Sequence, residues 1–232
     1  MKIKNLKIFV IGNPPPHFGG RYWVILKITT DNNISGIGEA YSIPFHPSVV
    51  EKMIEDIFQR YLLNKDPFKI EKLFKNIFSS GYTQRPDLSL MGILSAFEMA
   101  CWDIVGKDLN KPIYELLGGK IHEKLRTYTY IYPKIDDKKN VYSDSDLACE
   151  RANEYLKEGF DAIKFDPLIE YTILDPRQLT IKELTKAEDY IKKIRNAVGN
   201  KCDLLIGTHG QMTPSSAIQF AKLIEKHNPM WF

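Results

Sequence analysis

Leu94-Ser-Ala-Phe-Glu-Met-Ala-Cys-Trp-Asp-Ile-Val-Gly-Lys-Asp-Leu-Asn-Lys-Pro-Ile-Tyr-Glu-Leu-Leu-Gly-Gly119 separates two kinds of sequence. Leu90, Ile93, Leu94, Phe97, Ala100, Cys101 and Ile104 recur at helical spacing, which predicts a helix over about 89–107. It is apolar along nearly its whole length on one side, so it should be the most buried helix of its half. The paired glycines at 118 and 119 end that half, and a different grammar follows.

Upstream, residues 3–9 alternate, 22–30 are rich in aromatic and β-branched residues, and 34–40 follow the turn Asp31-Asn32-Asn33. These predict a three-stranded antiparallel meander. Its first two strands are joined by Gly12-Asn-Pro-Pro-Pro-His-Phe-Gly-Gly20, too rich in Pro and Gly to be helix or strand. Ser48 is placed to cap a helix over about 48–62, and Asp66-Pro67 opens another carrying Ile70, Leu73, Phe74 and Ile77. Downstream, strands at 126–131, 162–165 and 204–206 alternate with helices at 144–158, 181–198 and 215–226. Strand alternating with helix implies parallel strands with right-handed crossovers. The fold class expected is an α+β domain over 1–118, then over 119–232 the N-terminal part of a parallel (β/α) TIM-like barrel. A fourth strand begins near Pro229, and three βα units with a stub cannot close a barrel. The sequence therefore reads as truncated. An open flavodoxin-like sheet is the competing account, and it leaves the meander unexplained.

Of the 232 residues, 44% are apolar and 26% charged, with a net charge of +3, as in an ordinary soluble protein. Basic and acidic residues are interspersed. Even the cluster Lys134, Lys138 and Lys139 is broken by Asp136 and Asp137, so no nucleic-acid partner is expected. No stretch approaches the roughly 20 apolar residues that span a bilayer, so no membrane partner is expected either. The N-terminus alternates like a strand rather than presenting the apolar run of a signal peptide. The three cysteines, Cys101, Cys149 and Cys202, follow no metal-ligand spacing and sit among apolar neighbours. Buried free thiols in a reducing cytoplasm are the expectation.

Side chains on a strand alternate with period two. Lys164 and Asp166 therefore face away from Ile163 and Phe165, and Gly207 and His209 share a face. Barrel active sites lie at the C-terminal ends of strands. A lysine, a carboxylate and an imidazole on neighbouring inward faces are costly unless paired or used.

The run 94–119, with Ala100, Trp102, Asp103, Gly106, Pro112 and its Leu-Leu-Gly-Gly end, resembles the capping domain of mandelate racemase and muconate lactonizing enzymes of the enolase superfamily. Gly36-Ile-Gly-Glu-Ala40 resembles that family's meander, and the likeness runs from residue 1 to 232. Ala162-Ile-Lys-Phe-Asp-Pro167 and Thr208-His-Gly210 are similar to segments of gluconate and galactonate dehydratases. The resemblance implies Mg²⁺-dependent dehydration of an aldonic or aldaric acid to a 2-keto-3-deoxy acid through an enediolate. Racemisation or cycloisomerisation through the same intermediate, or a non-catalytic binding subunit, are the alternatives. It implies a catalytic or carboxylate-orienting Lys164 and an acid–base His209. It implies substrate contacts from His17, Arg21 and Tyr22 in the capping loop, with Asp166 at the barrel mouth. A cytoplasmic homo-oligomer is the expected assembly, and a piece ending at Phe232 is expected to be inactive alone.

One position departs from the pattern. Two residues before the place of His209 the family has a metal-binding carboxylate, and this chain has Gly207. The metal ligands are thus unknown, the others falling beyond Phe232. Weak Mg²⁺ binding is expected, with Gly207→Asp adding a ligand.

Overall fold

Val24, Leu26, Ile28 and Thr30 alternate with more exposed neighbours, so their strand must bury one face, and the N-terminal half is built on it. The computed structural model describes residues 1–15, 17, 19–41, 43–168 and 178–232, so Pro16 and Phe18 of the proline-rich loop lie outside the described residues. The chain divides into two units, Met1–Glu123 and Lys124–Phe232.

In the first unit β1 (Ile3–Gly12), β2 (Tyr22–Thr30) and β3 (Ser35–Glu39) form an antiparallel sheet in that order. Helix α1 (Pro47–Ile57) runs into a π-helical turn at Phe58–Leu62, followed by α2 (Ile70–Ser79), α3 (Leu88–Leu109) and the short α4 (Ile113–Leu116). Helix α3 is long and apolar enough to cross a membrane by length and composition, closer to a span than the sequence reading allowed. Its Ile93, Leu94, Phe97, Ala100 and Ile104 are instead buried in the unit's core beside Leu26, Ile28, Ile54 and Ile77. The helix lies directly on β3. A Cβ on Gly36 would stand 1.9 Å from the Ala100 carbonyl oxygen, and one on Gly38 1.9 Å from that of Ala96. Asp103, on the same helix, accepts the Ile37 backbone N–H at 3.0 Å, occupying a donor on the sheet's edge.

Helix α1 is capped by His46 rather than Ser48. The His46 Nδ1 accepts the Ser48 N–H at 3.3 Å. Pro47 has no N–H and suits the first helical position, which moves the cap one residue upstream of it. Helix α4 was not anticipated; it follows the left-handed Asn110 that ends α3 (φ 51°) and starts after Pro112.

The second unit is a parallel sheet in the order β4 (Thr129–Tyr130), β5 (Ala162–Phe165), β6 (Asp203–Ile206) and β7 (Pro229–Trp231). Helices α5 (Ser145–Lys157), α6 (Ile181–Val198) and α7 (Pro214–Ile224) alternate with these strands. Ile163, Phe165, Leu204 and Ile206 turn to the helices and pack with Ala148, Ile191 and Phe220. Helix α6 begins with a reciprocal cap: Thr180 Oγ1 accepts the Glu183 N–H, and the Glu183 carboxylate accepts the Thr180 N–H at 2.6 Å. The first strand is shorter than expected. Arg126 is turned to ion pairing instead, donating to Asp161 at 2.9 Å and Asp203 at 2.7 Å.

Two outcomes follow from this packing. Gly38→Ala forces a methyl group into the Ala96 carbonyl, and chemical denaturation should show a loss of at least about 1–3 kcal/mol. Burial pushes the Cys101 thiol up to about 12 and Cys202 up to about 11, and raises half-buried Cys149 as well. At pH 8 the native protein should react with a thiol reagent slowly and first at Cys149, with Cys101 and Cys202 becoming reactive on denaturation.

Candidate functional site

The register of the parallel sheet places Tyr130, Lys164 and Leu205 side by side on successive strands. Lys164 carries its ammonium over the Tyr130 ring, 5.7 Å from the centroid. Pairing continues one residue past β6, where the Gly207 N–H donates to the Phe165 carbonyl at 2.9 Å. This brings Gly207 alongside Asp166. The chain then turns away through two left-handed residues, His209 (φ 48°) and Gly210 (φ 67°). A non-glycine residue held there is under some backbone strain, a condition common at functional sites.

That turn brings the His209 ring back onto the second strand. Its Nε2 lies 2.6 Å from Asp166 Oδ2. A carboxylate only accepts, so this contact assigns the proton to Nε2. The other carboxylate oxygen, Asp166 Oδ1, is buried without a hydrogen-bond partner. It occupies the space a side chain at 207 would need, since a Cβ there would be 1.8 Å from Oδ1 and 3.1 Å from Lys164 Cε. Tyr130 stands beside the same carboxylate. Burial first, then hydrogen bonding to Asp166 and the charge of that carboxylate, hold its phenol above the ordinary range. Lys164, Asp166 and His209 are thus brought together, the first two by their strand positions and His209 by the turn after β6. Tyr130 was missed, although its place level with Lys164 on the neighbouring strand was the available signal.

The capping-loop residues form a separate group in the first unit. His17, also left-handed (φ 59°), turns its Nδ1 back to the Asn13 carbonyl at 2.5 Å. Asn13 closes the loop by donating from its backbone to Arg21 O at 2.9 Å and from its side chain to Gly20 O at 2.7 Å. Arg21 and Tyr22 line a cleft of about 230 Å³ with Glu39, Tyr41 and Phe45, and His17 does not. Glu39 and Tyr41 gave no sequence signal of their own. His46 is taken up by its helix cap, with its ring 6.4 Å from that of Tyr22, and His227 lies 3.1 Å from Glu188.

No three His, Cys, Asp or Glu side chains converge as a metal site among the described residues. A buried, unpartnered carboxylate oxygen beside a glycine suits an oxygen-seeking divalent ion. The same geometry changes the expectation for Gly207→Asp, because a side chain at 207 collides with Asp166 before it adds a ligand.

Residues 18–118 match the mandelate racemase/muconate lactonizing enzyme N-terminal domain, and residues 148–232 match the enolase C-terminal domain-like family. The chain belongs to the mandelate racemase/muconate lactonizing enzyme family. A crystal structure from Burkholderia SAR-1 assigned to this family is 53% identical and superposes with a TM-score of 0.94, over 100% of this chain and 58% of that one. The family member from a Sulfitobacter species is 41% identical, with a TM-score of 0.94 over 100% and 59%. The D-gluconate/D-galactonate dehydratase of Picrophilus torridus is 31% identical over 99% of this chain and 56% of its own length. The chain spans about half the length of the curated relatives it matches. In this family's terms, it comprises the N-terminal capping domain and part of the barrel.

The Gly207–Asp166 contact has a spectroscopic consequence. Gly207→Ala should push the Asp166 carboxylate aside and release His209. In ¹H–¹⁵N spectra of the imidazole the hydrogen-bonded Nε2 signal should shift or vanish, and a spectrum like the wild type's would mean Asp166 tolerates the methyl group.

Proposed function

We propose that the whole protein dehydrates a sugar acid, aldonic or aldaric, to the 2-keto-3-deoxy acid. The observation that carries the reading is the convergence of Lys164, Asp166 and His209 at the C-terminal ends of adjacent parallel strands. Similarity to gluconate and galactonate dehydratases supports the substrate class.

The chemistry calls for these residue types. A proton next to a carboxylate is weakly acidic, since its removal builds a dianionic enediolate. The Lys164 ammonium lies on the barrel side, where it orients and neutralises the substrate carboxylate. Loss of the α-proton to a base gives the enediolate. Its electrons then expel the β-hydroxyl, which takes a proton and leaves as water, and the resulting enol becomes the ketone. His209 supplies that proton. With Nε2 engaged by Asp166, Nδ1 is the ring atom left to exchange a proton with the substrate. Mg²⁺, with Asp166 Oδ1 as the oxygen this chain offers it, would supply positive charge for the enediolate oxygens. Arg21 and Tyr22, with His17 at the edge of their loop, contact the polyhydroxy chain. The protein acts in the cytoplasm as a homo-oligomer, with no nucleic-acid or membrane partner.

Gly207, together with metal ligands that fall beyond Phe232, favours a non-catalytic homologue when the sequence is read alone. It supports that reading less once the glycine is seen to make room for Asp166. The test is direct. With Mg²⁺ and a panel of aldonic and aldaric acids, the whole protein should release a 2-keto-3-deoxy acid from at least one. His209→Asn should lower turnover by about 10²–10⁴-fold. Normal turnover by that variant would remove His209 from the mechanism.

A further inference from the structure

The Asp166 carboxylate is divided between two surroundings. Oδ2 holds the His209 imidazole at 2.6 Å, while Oδ1 is buried and accepts no hydrogen bond. A buried carboxylate oxygen left without a partner is unfavourable, and such groups are usually satisfied by a donor or a cation. The neighbouring residues do not supply one. Lys164 extends over the Tyr130 ring and forms no ion pair with Asp166 among the described residues. The Tyr130 phenol approaches the carboxylate without satisfying Oδ1. Gly207, whose N–H is committed to the Phe165 carbonyl, has no side chain to offer.

Position also matters. Oδ1 lies 1.8 Å from where the first side-chain atom of residue 207 would be. A carboxylate oxygen from the second strand therefore stands at the root of the third-strand position that the family resemblance assigns to a metal ligand. We propose that Asp166 replaces residue 207 as the carboxylate this part of the barrel gives to a divalent cation, with Oδ1 as the ligand atom. The glycine is then the condition of the exchange rather than the loss of a ligand. His209 and the ion share one carboxylate, so the acid–base group is positioned by a metal ligand. Asp166 meets the substrate through the ion it binds.

This inference rests on the metal-dependent reading above, and the experiment separates the two. The metal-free whole protein is titrated with Mn²⁺ and the unbound ion is counted by electron paramagnetic resonance. Wild type is compared with Asp166→Asn and with the exchanged variant Asp166→Gly/Gly207→Asp, each checked for folding by circular dichroism. Replacing residues that only support metal ligands typically weakens binding about 10–100-fold, so loss of a ligand carboxylate in Asp166→Asn should weaken it at least about tenfold. The exchanged variant should recover most of the loss, because its carboxylate enters the same space from the next strand. Wild-type affinity in Asp166→Asn overturns the assignment, and so does a folded exchanged variant that binds no better than Asp166→Asn. A wild type that binds Mn²⁺ with the expected variant pattern but dehydrates no sugar acid overturns the reaction and leaves the ligand assignment standing. A wild type that binds no Mn²⁺ overturns both.

Discussion

The backbone bond from the Gly207 N–H to the Phe165 carbonyl sets the geometry of the candidate site. It carries the β5–β6 ladder one residue beyond the strands and makes Asp166 and Gly207 neighbours. Lys164 and Asp166 come from the end of β5 and His209 from the turn after β6, yet each position follows from this register. A slip of one residue would turn Lys164 towards the helices and send Phe165 to the barrel side. The apolar contacts of Ile163, Phe165, Leu204 and Ile206 oppose such a slip, so core packing and site geometry share one cause.

The two ends of the parallel strands are used differently. At the N-terminal ends, Arg126 bridges Asp161 and Asp203, and Arg195 donates to the carbonyls of Gly199, Cys202, His227 and Asn228. These contacts tie the starts of the strands together, as expected of a face that serves stability. At the C-terminal ends a buried oxygen is left over and a histidine is held left-handed. In the first unit two backbones lie close together, with the glycines of β3 under the carbonyls of α3.

Elements governed by local pattern were legible in the sequence. The reading of 162–165 and 181–198 matches β5 and α6, the first a short apolar run and the second a long amphipathic helix with its own capping box. Misreadings arose where a side chain had a partner distant in sequence. Arg126 looked like part of a strand because Asp161 and Asp203 are 35 and 77 residues away. Ser48 looked like a cap because the suitability of His46 depends on how Pro47 sits. At the site, period-two alternation puts Lys164 and Asp166 on one face of their strand, whereas His209 reaches them through a left-handed turn, and its bond to Asp166 spans 43 residues and has no local signature. Gly207 read as a missing carboxylate, since a sequence shows which side chain is absent and not what fills the space.

That filled space restricts how the protein can change. Any side chain at 207 meets Asp166 first, and any loss of Asp166 frees the histidine it holds. A side chain at 207 is accommodated when the Asp166 carboxylate swings away, which breaks its contact with His209. The two positions are therefore epistatic: the effect of a substitution at one depends on the residue at the other.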